Sequence, residues 1–412
     1  MLAQSVEGNG GVGGVDGKGG NGALIVLLLI VFINIAGFGI VIPLLPFYAD
    51  AFGIEAWQVT VLFSAYSVGQ FAGEPIWGRV SDRWGRKPVL LVTMAAVGAS
   101  YVGLAYAPDF ATALVLRLLG GIAGGNMGVT QAYVADITPP AQRTARLGLL
   151  GAAFGVGFMV GPAIGGLLVV DGAGLAGFRP PLLMAAALSL LAVIGIVALL
   201  QETRHAGTAQ GQRAKLRDAL ANPVIAHVLL TTLVAISAFS AMEGIFGLWT
   251  KARFGWGPHE VGLTFAMIGA LSALTQAVVA GWLVRRIGEA STLALGLAIS
   301  GFSLIAQVYA PNGAWLVAMI PLTVLGISIT NPAIAGLISH SSEPHQQGAM
   351  LGLNGALGAL ARIIGPLIAG ALFSAVSVDA PYLFAGIGLF PAAWIGWRIN
   401  HKLAERRAAA LG

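Results

Sequence analysis

The sequence predicts an all-α integral membrane protein of twelve transmembrane helices, arranged as two related six-helix bundles. Three observations carry that expectation. The chain is 57% hydrophobic and only 9% charged, where soluble domains carry roughly 25% charged residues. Its apolar residues fall in long runs near the length of about 20 residues that a spanning helix needs. Short signatures recur in the same order at an offset of half the chain.

Residues 1–22 are Gly-rich and nearly devoid of apolar side chains, so a disordered tail is expected there. Lys18 is the tail's only basic residue. The run after it is too long for the h-region of a signal peptide, so it is expected to stay as the first span. The spans are placed at 23–45, 57–78, 88–107, 111–135, 147–170, 180–200, 223–248, 260–284, 291–310, 314–338, 349–375 and 381–399. Continuous rather than alternating apolar runs exclude a β-barrel. Several runs contain Gly and Pro, which membrane helices tolerate. The longest polar stretch, 201–222, divides a first bundle (23–200) from a second (223–399), and 400–412 form a basic tail.

Lys and Arg orient the chain. With the N-terminus in the cytoplasm, most of the 22 basic residues lie on that side. Arg179, Lys251 and Arg253 fall outside, and Arg117 and Arg362 fall within spans. Both termini are therefore expected in the cytoplasm. Basic balance in short clusters between spans reflects topology, and no nucleic-acid partner is expected. Cysteine is absent, which excludes disulfides and thiolate sites. The six histidines are too scattered for a metal site.

The repeat rests on three pairs. Phe52-Gly53 returns as Phe254-Gly255, and Gly161-Pro162 returns as Gly365-Pro366. The pattern G-x-x-x-x-R-x-G occurs at Gly78, Arg83 and Gly85, and again at Gly281, Arg286 and Gly288. Tandem six-helix halves with a substrate site near the bilayer midplane are a known transporter plan.

Four motifs carry a family resemblance. The segment Gly78-Arg79-Val80-Ser81-Asp82-Arg83-Trp84-Gly85-Arg86-Lys87 resembles the major facilitator signature G-x-x-x-D-R-x-G-R-[RK]. Gly157, Gly161, Pro162, Gly165 and Gly166 in the fifth span are similar to the antiporter motif G-x-x-x-G-P-x-x-G-G of that superfamily. The end of the first span, Gly37 to Pro46, and Arg117-Leu118-Leu119-Gly120-Gly121 in the fourth resemble twelve-helix drug:proton antiporters. Arg253-Phe254-Gly255-Trp256 and His345-Gln346-Gln347-Gly348 are similar to the tetracycline-resistance branch. The resemblance implies the major facilitator fold and proton-coupled export of small amphiphilic compounds from a bacterial inner membrane. It also implies a monomer that uses the proton gradient and no cofactor. Import or export of a metabolite, such as a sugar or amino-acid derivative, is the alternative. Where tetracycline antiporters carry acids in spans 1, 3 and 9, this chain has Asn34, Ser100 and Ser300.

The signature is expected to be a loop at the cytoplasmic mouth, with Gly78, Asp82, Arg83, Gly85, Arg86 and Lys87 forming a gate. Asp82 can pair with a nearby Arg or with a helix N-terminus of the other half, which the resemblance places at the start of the eleventh span near Gly348; the alternative is a solvated acid in a basic loop. Gly157, Gly161 and Gly165 lie four apart on one helix face. They permit either a sealed contact between halves or ordinary close packing. Gly120, Gly124 and Gly128 are expected to serve packing.

A charge at a helix centre costs about 2.5–3.5 kcal/mol, so Glu243, Arg362 and Arg117 are the candidates for proton coupling. A carboxyl group in an apolar site can exchange protons near neutral pH, and Glu243 is the expected carrier. The alternative is a static ion pair of Glu243 with Arg362 or Arg117. Glu74, just before Pro75, is expected to be structural or gate-associated, and Asp136 an interface residue. Polar and aromatic residues expected to line a substrate cavity are Asn34, Tyr66, Gln70, Asn126, Gln131, Phe239, Met242, Asn331 and Asn354, with helix packing the alternative for each. No G-x-x-x-x-G-K-[ST] motif occurs, which argues against an ATP-driven pump, and no enzyme activity is expected.

Overall fold

Long apolar segments fold as helices because lipid offers no partner to a free backbone N–H or C=O. A computed structural model describes residues 17–411 other than 171, 204–218, 220, 344 and 345, and no strand occurs among them. The first half holds α1 (Gly17–Val41), α2 (Leu45–Phe52), α3 (Ala56–Trp84), α4 (Arg86–Ala105), α5 (Phe110–Gly124), α6 (Met127–Asp136), α7 (Pro140–Leu167) and α8 (Arg179–Leu199). The second half holds α9 (Pro223–Phe254), α10 (Pro258–Leu274), α11 (Gly281–Ile287), α12 (Glu289–Val308), α13 (Gly313–Ser341), α14 (Gln347–Ala375) and α15 (Ala380–Leu411). Eleven helical segments among the described residues are long and apolar enough to cross a membrane. The twelfth crossing is α3, whose Ser, Gln and Glu residues and charged end make it too polar for that test.

Five boundaries differ from the sequence expectation. Helix α1 starts at Gly17, so 17–22 are helical, although their glycines are poor helix formers. Residues 1–16 lie outside the described residues, as does most of the linker. The first run stops at Val41, since Pro43 cannot continue the hydrogen-bond ladder. The fourth run splits between α5 and α6 at Gly125-Asn126. A π-helical turn, Thr275–Ala280, joins α10 to α11 in the eighth. The signature is not a loop: α3 runs through it to Trp84 and only Gly85 turns the chain. Gly78 is helical and open to space, so it makes no turn.

The halves repeat in backbone detail. Gly53 and Gly255 end their helices at φ 64° and 68°. Gly85 has φ 103° and ψ 161°, and Gly288 has φ 79° and ψ 164°. These conformations exclude a Cβ at low cost. In α7, a Cβ on Gly161 would lie 2.4 Å from the Ala36 carbonyl of α1; in α14, one on Gly365 would lie 2.3 Å from the Ser237 carbonyl of α9.

The halves meet along two seams, α3 against α14 and α7 against α10. Contacts cluster away from the chain termini. Gly166 sits against Pro258 and Gly262, Gly247 against Pro46, and Gly370 against Thr60. At the face carrying the termini, Cβ atoms on Gly148, Gly151 and Gly155 of α7, or on Gly348, Gly352 and Gly355 of α14, would meet nothing within 4 Å. The structure is thus closed at one end and parted at the other.

Candidate functional site

A cavity of about 250 Å³ lies between the halves. From the first half, Asn34 and Phe38 of α1, Tyr66 and Gln70 of α3, and Phe154 and Phe158 of α7 face it. From the second come Phe239 and Glu243 of α9, Ser272 and Gln276 near the π turn, Asn331 of α13 and Arg362 of α14. Apolar and aromatic walls with a few polar groups suit an amphiphilic ligand. Phe38 packs on Phe63 and Tyr66, with ring centroids 5.6 and 5.2 Å apart. Next to Glu243, a Cβ on Gly244 would lie 3.1 Å from Pro366 and 3.7 Å from Phe63 of the other half.

Glu243 is 5% exposed, and its Oε1 has no hydrogen-bond partner among the described residues. Arg362 shares the cavity. No ion pair joins them among the described residues. An unpaired acid in a largely apolar cavity is costly in a membrane. That cost favours a group that exchanges with a proton or ligand over one fixed in place.

Arg117 sits elsewhere. It is 3% exposed, donates from Nε to the Leu62 carbonyl at 3.3 Å, and holds its guanidinium 4.6 Å from the Tyr66 ring centroid. It braces α5 against α3 behind the cavity wall and meets no carboxylate there, since burial favours the ring face and carbonyl as neighbours. Of the expected lining, Asn34, Tyr66, Gln70, Phe239 and Asn331 are in place. Asn126 stands one layer back, accepting from Asn34 at 2.8 Å and donating to Thr93 at 3.0 Å. Met242 faces a separate small pocket beside Gln307 and Thr323. Asn354 accepts from Thr232 at 2.7 Å, and Gln131 is exposed outside the cavity. The helix break before α6 sets the face that Gln131 presents, which spacing within one run does not reveal.

The expected gate residues bind within the first half. Arg86 pairs with Asp82 at 2.8 Å and donates to Ser81 at 2.6 Å and to Asp136 at 3.5 Å. Asp82 therefore takes the nearby Arg, its side chain still 60% exposed. It makes no latch to Gly348 because the halves are parted at this end. Sequence reasoning missed Glu202. Its carboxylate accepts from the backbone N–H groups of Arg86 at 2.8 Å and Lys87 at 3.2 Å, at the positive N-terminus of α4. A Cβ on Gly85 would lie 2.3 Å from it. The antiporter glycines divide their roles. Gly157, Gly161 and Gly165 press on α1 of their own half, whereas Gly166 and the Pro162 carbonyl meet α10 of the other. Also missed were Phe154, Phe158, Ser272, Gln276 and Ser328.

Two bundles closed around a central cavity at one end and open at the other define an integral membrane transporter. The chain belongs to the Major Facilitator Superfamily, whose model matches residues 27–257 and 244–410. It is 31% identical to the class G tetracycline resistance protein of Vibrio anguillarum, over 90% of this chain and 92% of that one. It is 30% identical to the quinolone resistance protein NorA of Staphylococcus aureus, over 87% and 92%. Two solved structures share the fold. A bacterial homologue of the human lysosomal transporter Spinster, inward-facing and occupied, matches with TM-score 0.77 at 14% identity over 93% and 96% of the two chains. The human organic anion transporter MFSD10 matches with TM-score 0.67 at 23% identity over 92% and 99%.

Proposed function

We propose that this protein exports small amphiphilic compounds in exchange for protons, by alternating access, across a bacterial inner membrane. Both termini would lie in the cytoplasm, so the parted face is the cytoplasmic one. Glu243 carries the reading: it is a buried acid with an unpartnered oxygen, in a cavity shared by both halves. Substrate and proton compete for this carboxyl group, and each occupant biases which end is open. The relatives named for tetracycline and quinolone resistance support export as the direction. Arg362 tunes the acid, and Arg117 acts only by holding the Tyr66 wall. Closing the parted face would bring residues 79–87 towards Gly348 and form the latch absent from this conformation. The protein would work as a monomer on the proton gradient alone. Inverted vesicles energised with a proton gradient test it: adding substrate should release protons from the natural protein, and Glu243→Gln should reduce that signal about 100-fold with normal insertion. Undiminished coupled flux in Glu243→Gln would remove the proposal.

A further inference from the structure

Met242 and Glu243 are neighbours on α9, yet they face different spaces. Glu243 lines the central cavity, and Met242 lines a second, small one of about 10 Å³. Phe239 of α9 and Ile327 of α13 line both, so they form the wall between the two. The small pocket continues the cavity towards the closed end. Gly247 of α9 meets Pro46 at that end, and Gly313 at the start of α13 meets Trp256 there. The far walls of the pocket are Phe246 and Ile320, about two turns beyond Phe239 and Ile327 in that direction. Its whole lining belongs to the second half.

The polar residues of the pocket are Gln307 of α12 and Thr323 of α13, both buried. A chain of side chains fixes how they point. Ser303 donates to the Met319 carbonyl at 3.3 Å, and its Oγ lies 2.6 Å from the Thr323 Oγ1. A hydroxyl has one proton to give, so Thr323 donates to Ser303. Towards Gln307, Thr323 therefore accepts, from an Nε2 at 2.6 Å. The Gln307 amide is thereby held with its nitrogen on Thr323, and its Oε1 has no partner among the described residues. A buried acceptor without a partner is costly. The space of about 10 Å³ is room for one water, or for one donor group of that size.

We propose that this pocket is a subsite of the cavity that takes a small hydrogen-bond donor, an amino or hydroxyl group, at one end of the amphiphile, with the Gln307 Oε1 as its acceptor. This role rests on the cavity carrying amphiphiles and names the chemistry they need. Turning the half-buried Phe239 ring aside joins the two spaces. A donor group then replaces the water that otherwise satisfies Gln307 and keeps its hydrogen bond, while the apolar body of the ligand stays in the main cavity. A substituent without a donor leaves Gln307 bare, so it is selected against. Because one bundle supplies the whole subsite, a group seated there travels with that bundle as the halves rock. Gln307 sets specificity in this scheme, and Thr323 is a positioning residue acting through it.

The test is binding of two probes to the purified full-length protein at fixed pH, the para-amino and para-methyl derivatives of tetraphenylphosphonium. They match in charge and shape and differ in one donor group. The natural protein should bind the amino probe about fivefold more tightly, the effect of one neutral hydrogen bond. Gln307→Met should bring the ratio of the two affinities to about one. Thr323→Val, which frees the amide to turn, should bring it to about twofold or less. Equal binding of the two probes by the natural protein would mean that the pocket holds water only, and would overturn the subsite. An undiminished ratio in Gln307→Met would place the amino group elsewhere in the cavity and overturn it too. If Gln307→Met does not fold, Thr323→Val decides, and an unchanged ratio there overturns the subsite. Glu243→Gln separates the two ideas. If it loses coupled flux while the natural protein binds both probes equally, only the subsite fails; if it keeps coupled flux while Gln307→Met abolishes the ratio, proton exchange at Glu243 fails and the subsite stands.

Discussion

The two halves share a skeleton of glycine and proline but differ in the charged groups that brace their ends. In the first half, Asp82, Arg86 and Asp136 tie α3, α4 and α6 at the open face, and Glu202 fastens the chain after α8 to α4. In the second half Asp379 accepts from Trp249 at 2.8 Å and pairs with Arg253 at 3.2 Å at the closed end, and His340 meets Glu289 at 3.1 Å at the open face. The membrane-embedded groups differ too. The first half buries Arg117 against Tyr66, and the second carries Glu243 and Arg362 in the cavity. The lesson is that close helix approach is what the duplication preserves, because a Cβ there meets backbone. Charges are free to diverge, and their divergence makes the two sides of the cavity chemically unequal.

The shared skeleton is the strongest part of the comparison to attack. Gly161→Val and Gly365→Val each force a side chain against a carbonyl at 2.4 and 2.3 Å. Each should destabilise the protein by about 1–3 kcal/mol, read as a matched fall in thermal unfolding temperature in detergent. A loss at one site only would break the equivalence of α7 and α14.

The next test sharpens the difference between the halves. Gly85→Ala and Gly288→Ala both place a Cβ in a conformation that costs about 1–3 kcal/mol. Only at Gly85 does the Cβ also strike a neighbour, the Glu202 carboxylate. Gly85→Ala should therefore lower the unfolding temperature more than Gly288→Ala; equal shifts would show that the Glu202 clasp is not structural.

The smallest effect is expected from Glu202→Ala, which leaves two α4 N–H groups to water at an exposed site and should cost about 0.5–1 kcal/mol. Faster backbone hydrogen exchange at Arg86 and Lys87, with none at Gly288 and Glu289, is the corresponding readout.

Much of the architecture was legible in the sequence, because span length and the Gly-Pro repeats are dictated by the bilayer and by helix approach. Glu243 was legible for a related reason, since few interactions justify an acid amid apolar residues. The cavity wall was less so. Apolar residues surround these helices on all sides, so periodicity does not tell a lipid face from a cavity face. The break at Gly125-Asn126 and the π turn at Thr275–Ala280 then rotate the faces of the helical turns beyond them. Gln276 reaches the cavity from that π turn and donates to Ser272 at 2.9 Å, a placement an unbroken helix would not reveal. Arg117 stands outside the cavity lining, a placement its sequence does not signal because its neighbour, the Tyr66 ring, is apolar by composition. Glu202 carried no motif at all.

The chain contains no cysteine, so labels can be placed at will. Gly151→Cys in α7 and Gly355→Cys in α14 are equivalent sites at the parted face, each with nothing within 4 Å of its Cβ position. Spin-label distances between them, in reconstituted protein, report directly on whether that face closes. Substrate together with a proton gradient should populate a second, shorter distance. One unchanged distance while transport proceeds would contradict two bundles rocking about a shared cavity.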